Sequence, residues 1–270
     1  MRENTVTELS SRLAEWTRED AAEHAAHTVV VLPIGALEQH GPHLPLATDA
    51  LLAEHIGQAA ADGLANVVVA PAFSYGCSHH HLPFGGTASL RTTSLLAGLA
   101  DLVDSLLVSG FAGVFLLNGH GGNNEIVQLV ARDLGVQRQA YVAAGSYFQI
   151  AAEQLAAAGA TEFGELPGHS GAFETSLMLA TFPRLVRQAS TPSRPRPEAG
   201  WPGPRSYRLA TPGPFRNGDG FSDDPSAASA SLGAKLLAIC VEAVQAAIAD
   251  FSGVAEPNVG IGRAQATTGR

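Results

Sequence analysis

The chain's 270 residues are 46% hydrophobic and 15% charged, a composition that implies a large buried core and excludes a disordered or fibrous protein. A formal net charge of −9, with no cluster of Lys or Arg, excludes nucleic acid and anionic membrane surfaces as partners and favours small or weakly charged substrates. The two cysteines, Cys77 and Cys240, lie far apart and outside any CxxC motif, so no disulfide framework is expected and a reducing cytosol suits them.

The N-terminal stretch MRENTVTELSSRLAEW mixes charged and apolar side chains and does not read as a secretory signal. No run approaches the roughly 18 apolar residues of a membrane span, so the chain is read as cytoplasmic. Four short apolar runs follow in order, at 28–33 (TVVVLP), 67–71 (VVVAP), 113–117 (GVFLL) and 140–144 (AYVAA). Each is partly β-branched and stopped by Gly, Pro or polar residues, as strands buried on both faces of a sheet are. Helices are predicted between them at 49–61, 92–109 and 124–134. In the second of these, Leu95, Leu99, Leu102, Val103 and Leu106 recur at three- and four-residue steps and make one apolar face.

This alternation predicts a single α/β domain over 1–254, with a central, mostly parallel sheet flanked by helices. The Pro- and Gly-rich segment 191–224 is expected to be a surface loop or an oligomer arm. A further helix is predicted at 229–251, and 255–270 is expected to be a flexible tail.

Four polar clusters interrupt this pattern. GALEQHGPHLPLATDA directly follows the first strand and puts Glu38, His40 and Asp49 within twelve residues; Glu38 and His40 point the same way if the backbone is extended. A strand's carboxyl end is where α/β sheets bind ligands. LLNGHGGNNE follows the third strand and holds His120 among Gly119, Gly121 and Gly122, with neither the Walker A lysine nor the GxGxxG spacing of a phosphate loop. PGHSGAFETSLMLA places His169 in a glycine-flanked turn and Glu174 near the start of a helix ending around Ala180. Taken singly, His169 also suits a loop or cap, and Glu174 a first-turn acid favoured by the helix dipole. SYGCSHHHLPFGGTASL carries three adjacent histidines; neighbouring side chains diverge, so one is expected to face the site and two to be exposed.

Together these stretches resemble the creatininase (creatinine amidohydrolase) family. The matching elements are Glu-x-His-Gly-x-His-Leu-Pro at 38–45 with Asp49, Ser-x-x-His…Phe-x-Gly-Thr at 78–87, Asn-Gly-His-Gly-Gly-Asn at 118–123, and His-x-Gly-x-x-Glu-Thr-Ser at 169–176, in the family's order. The resemblance implies a mostly parallel α/β fold, two divalent metal ions (Zn²⁺, Mn²⁺ or Fe²⁺) and a homo-oligomer, often a hexamer. It also implies that Glu38, His40, Asp49 and His120 are metal ligands with Asp49 bridging. Glu174 would complete the centre or handle a proton, His169 would contact the substrate, and Ser78 and His81 would line the pocket.

The chain departs from creatininase proper where that enzyme has a Tyr and a metal-binding Glu after the NGH histidine. Here those positions are Gly121 and Gly122, and Gly168 replaces another Glu. No tryptophan is evident at 145–165, where Tyr147, Phe148 and Phe163 stand. The glycine-rich form occurs in the wider family, which includes a formamide hydrolase of flavin and deazaflavin synthesis, a peptidase of mycofactocin maturation and a keto-inositol hydrolase.

The resemblance thus implies a metal-dependent amidohydrolase that uses a metal-activated hydroxide to cleave a C–N bond of a cyclic or small amide. The alternatives are a mycofactocin-type peptidase acting on a short peptide, a hydrolase of a keto-inositol or lactone-like ring, and a non-catalytic metal-binding scaffold.

Overall fold

The computed structural model describes residues 9–162, 164, 166–192 and 220–255. Four strands, β1 (Val29–Ile34), β2 (Val67–Val69), β3 (Gly113–Asn118) and β4 (Tyr141–Ser146), form one parallel sheet in the order β2-β1-β3-β4. The helices are α1 (Arg18–His24), α2 (Thr48–Ala61), α3 (Thr92–Val108), α4 (Asn124–Arg138), the short α5 (Tyr147–Ile150) and α6 (Ala152–Ala157), α7 (Ala172–Thr181) and α8 (Ala230–Ala255).

Every residue of β1 and β3 is buried, and the strand period divides their side chains between two cores. Val30, Leu32, Ile34, Val114 and Leu116 pack with Leu95, Leu99 and Val103 of α3 and Val127 and Val130 of α4. Val31, Phe115 and Leu117 pack on the other side with Leu52 and Ile56 of α2, Leu177 of α7, and Leu236, Val244 and Ile248 of α8. The result is a helix–sheet–helix sandwich, the layering that strand–helix alternation predicts.

Element boundaries fall within a few residues of the predicted ones, with physical reasons for the shifts. Pro33 ends the predicted first strand, yet β1 continues to Ile34. The Pro33 carbonyl accepts from Phe73, so its nitrogen faces the β2 side, past Val69 where β2 ends, and no ladder bond is lost. α4 runs beyond 134 to Arg138 and closes on Gln139, which is left-handed at φ 49 and donates its N–H to the Gly135 carbonyl.

Of the segment expected to be a surface loop or arm, residues 193–219 lie outside the described set. Residues 220–223 do not match that expectation: Gly220, Phe221 and Asp223 are buried, and Asp223 Oδ1 accepts the Ala172 N–H at 2.7 Å, capping α7. Residues 256–270 are likewise outside the described set, and α8 extends to Ala255.

α8 has a window of mean hydropathy 1.7 and is long and apolar enough to cross a membrane, which the reading of the sequence did not anticipate. It packs Gly233, Leu236, Cys240, Val244 and Ile248 inward, and its charged residues Lys235, Glu242 and Asp250 are exposed.

α8 packs so tightly on α7 that a Cβ on Gly233 would run into the Ser176 carbonyl. Gly233→Ala is therefore expected to destabilise the protein by about 1–3 kcal/mol, the usual range for overpacking. A lowered urea midpoint at unchanged m-value checks this; an unchanged midpoint contradicts it.

Candidate metal centre

The chain leaves β1 towards β2 on one side and returns to β3 on the other, so the carboxyl ends of β1 and β3 flank a topological switch point, where α/β sheets bind ligands. Glu38, Gln39 and His40 follow β1, and His120 follows β3. Asp49 lies in the first turn of α2 and Glu174 in the first turn of α7, with His169 in the turn before it. Ser78 precedes the 3-10 turn His79–His81 that follows β2. All eight residues singled out from the sequence are brought together there, each at most 5% exposed.

Local chemistry explains the placement. A side chain at Gly35 would collide with the backbone of Ala50, so glycine lets the start of α2, with Asp49, lie against the end of β1. The two asparagines of the NGHGGN turn staple it. Asn118 Nδ2 donates to the His120 carbonyl at 2.7 Å and to Ser146 Oγ at 2.9 Å, while Asn123 donates to the Gly35 carbonyl and accepts the Cys77 N–H.

Glu38 Oε1 lies 3.3 Å from His81 Nε2, 3.3 Å from His120 Nδ1 and 3.5 Å from His169 Nδ1. Asp49 sits between two imidazoles, with Oδ1 3.1 Å from His40 Nε2 and Oδ2 3.1 Å from His120 Nδ1. Glu174 Oε2 is 3.8 Å from His40 Nε2 and accepts the Ser170 N–H at 2.5 Å. Among the described residues, neither oxygen of Glu38 nor Oδ2 of Asp49 has a partner in hydrogen-bond geometry, although imidazole nitrogens stand at ion-pair distance. Buried carboxylate oxygens are rarely left in this state, and a cation among them satisfies all of them at once.

The imidazoles are oriented for that role. His40 Nδ1 faces the Glu38 carbonyl at 3.1 Å, which leaves Nε2 towards Asp49. His120 Nε2 faces the Cys77 carbonyl at 3.2 Å, which leaves Nδ1 towards Asp49 and Glu38. Anchoring one ring nitrogen on a carbonyl fixes the tautomer and turns the other nitrogen's lone pair inward. Glu38, His40 and Asp49 each offer a ligand atom within 4.8 Å of the others, and so do His40, His169 and Glu174.

The charges are strongly coupled. Burial disfavours a charged His40, but Asp49, Glu174 and Glu38 outweigh it and raise its pKa to about 10. His120 is raised likewise against its burial by Glu38 and Asp49. Burial, opposed by His40 and reinforced by Asp49, pushes Glu174 up to about 8. Burial and the neighbouring positive imidazoles hold His81 and His169 in the neutral form.

The structure adds residues that the sequence reading passed over. Two histidines of the triplet, not one, approach the centre. His79 is exposed, but His80 is half-buried, stacks on His120 at 5.8 Å with planes 3° apart, and offers a ligand atom within 4.8 Å of Glu38 and His120. A 3-10 turn rotates successive side chains by a third of a turn, so two of three can border one cleft. His43, present in the quoted motif without a role, bonds Thr175 Oγ1 through Nε2 at 2.9 Å. Tyr147, at the end of β4, has a buried hydroxyl without a hydrogen-bond partner among the described residues, and its place at a strand's carboxyl end was the available signal. Asp223 lies in the Pro/Gly-rich segment, a candidate for the pocket wall by its place in the chain, in which no motif singles out this residue.

The Creatininase (creatinine amidohydrolase) family model matches residues 14–248. The creatinine amidohydrolase of Pseudomonas putida is 30% identical over 251 residues, covering 86% of this chain and 93% of that protein. The mycofactocin precursor peptide peptidase of Mycobacterium ulcerans (strain Agy99) is 30% identical over 226 residues, covering 79% of this chain and 81% of its own length. The manganese form of creatininase superposes with a TM-score of 0.75 at 28% identity, covering 90% of this chain and 98% of that one. Fold, buried His/Glu/Asp cluster and sequence all agree: the chain belongs to the creatininase family of hydrolases.

Proposed function

We propose that this chain is a metal-dependent amidohydrolase that cleaves a C–N bond of a small or cyclic amide, with Glu38, His40, Asp49 and His120 as the residues that would hold two divalent ions. The observation that carries the reading is the set of buried, unsatisfied carboxylate oxygens facing imidazole nitrogens whose opposite nitrogens are anchored on backbone carbonyls. Oxygen and nitrogen donors without cysteine suit Zn²⁺, Mn²⁺ or Fe²⁺. Held by these residues, divalent ions would supply a water of near-neutral pKa and a Lewis acid for a carbonyl oxygen.

Glu174 is the further carboxylate of the centre. A side chain at Gly122 would run into the Cys77 carbonyl and come within 2.5 Å of His120 Nε2, so position 122 cannot supply an acid beside His120 in this orientation. In the metal-free cleft burial pushes Glu174 up to about 8, so it takes a proton more readily than an ordinary carboxylate, the property a proton-handling group beside the ions would need. His169 contacts the substrate, and Ser78 and His81 border the pocket.

Similarity to the mycofactocin precursor peptide peptidase over 79% of the chain favours a second reading, in which the amide is a peptide bond. A screen of cyclic amides, formamides, lactones and short peptides with each of the three metals discriminates between the readings.

Asp49→Asn and His120→Ala are each expected to abolish metal-dependent hydrolysis and lower the bound metal while the circular dichroism spectrum stays unchanged. Full activity at unchanged metal content would sink the ligand assignment. Gly122→Ala is expected to displace the His120 ring and weaken metal binding about 10–100-fold, as loss of an orienting contact does; an unchanged dissociation constant would show that the ring tolerates a Cβ. In the metal-free protein the raised pKa values keep His40, His120 and Glu174 protonated at neutral pH, and a ligand must shed its proton. Apparent metal affinity is therefore expected to tighten as pH rises through about 8, where Glu174 ionises, with proton release visible as a buffer-dependent calorimetric heat. A pH-independent affinity would contradict it.

A further inference from the structure

Gln39 stands between two of the imidazoles that face Glu38, and its amide is oriented by backbone groups that act in one sense only. Oε1 accepts the Gly41 N–H at 2.9 Å, and Nε2 donates to the Gly220 carbonyl at 2.8 Å. A flipped amide would set donor against donor at Gly41 and acceptor against acceptor at Gly220. Nε2 then has one hydrogen left and two ring nitrogens within reach, His81 Nδ1 at 2.9 Å and His169 Nε2 at 3.0 Å.

The backbone decides between them. His169 Nε2 lies 2.8 Å from the carbonyl oxygen of Gln39, which only accepts, so His169 carries its proton there and has no lone pair for the amide. The remaining amide hydrogen goes to His81 Nδ1. His81 therefore bears its own proton on Nε2, 3.3 Å from Glu38 Oε1, whereas His169 turns a bare Nδ1 to the same oxygen at 3.5 Å.

We infer that Gln39 is a positioning residue that sorts these two histidines into opposite roles: His81 presents an N–H to the centre and is barred from ligating through Nε2, while His169 presents a lone pair able to hold an ion or take a proton. The inference rests on the metal-centre reading above and refines it. Glu38, His81 and His169 have atoms close enough to share an ion, but hydrogen bonding leaves only two of the three competent to do so. Gly220 makes the device possible. It sits at φ +85, and a Cβ there would collide with the Gln39 amide, so glycine alone lets its carbonyl approach this closely.

The proton positions are the test, read by imidazole nitrogen NMR on the zinc-loaded full chain with isotope-labelled histidine. In the wild type both His81 and His169 are expected as single tautomers protonated on Nε2. Gln39→Met keeps the bulk and removes the amide. His81 is then expected to become a tautomer mixture or to bind zinc through Nε2, while His169 stays as it was because the residue 39 carbonyl remains. A wild-type His81 protonated on Nδ1, or a His81 unaltered in Gln39→Met, overturns the inference, and the wild-type measurement decides even if the variant fails to fold. Proton positions are read whether or not any amide is cleaved, so failure here is distinct from failure of the hydrolase reading, which activity and zinc content test separately.

Discussion

Three carboxylates, Glu38, Asp49 and Glu174, are buried together in one cleft, and the rest of the site answers to that constraint. Taking a carboxylate out of water costs several kcal/mol unless opposite charge and hydrogen bonds replace its hydration. In the protein alone the replacement is incomplete. His40 and His120 are driven to hold protons against their own burial, Glu174 is driven to keep one, and oxygens of Glu38 and Asp49 still lack hydrogen bonds among the described residues. Protons are the weaker substitute for divalent cations here, so metal affinity, protonation and the integrity of the cleft form one linked equilibrium.

The fold meets the constraint by supplying fixed partners from distant parts of the chain. Parallel pairing sets the ends of β1 and β3 side by side, with Ile34 opposite Asn118, and the turns after these strands deliver Glu38, His40 and His120 to the same crevice. Asp49 and Glu174 both occupy first turns of helices, where the helix dipole favours negative charge. α7 is held at its start by Asp223 and along its flank by α8, so a segment without chemistry of its own aligns Glu174.

Around the carboxylates a shell of hydrogen bonds decides which face of each imidazole is useful. The carbonyls of Glu38 and Cys77 orient His40 and His120, and Gln39, through both its carbonyl and its amide, orients His169 and His81. The histidines are thus not interchangeable, although all of them stand within a few ångströms of the same acids. This distinction matters for chemistry, because an imidazole that donates and one that accepts perform different steps.

The sequence by itself determined the four strands, the principal helices α2, α3, α4 and α8, and the eight residues of the cleft. Apolar runs and three- and four-residue steps are local signals, and Glu38, His40, Asp49, His120 and Glu174 stand in motifs immediately after strands or at helix starts. It determined less where the deciding contact is remote in the chain. The 3-10 turn that swings His80 towards His120 is not legible in three identical letters. Proline and glycine dominate the segment that contains residues 220–223 and locally signal a loop, whereas burial against Gln39 and α7 is settled by residues far from them in sequence. Only the tertiary structure decided that Gly122 has no room for an acid and which nitrogen each histidine turns inward. Both depend on where a single carbonyl, of Cys77 or of Gln39, lies relative to a ring, and no pattern along the chain encodes that distance.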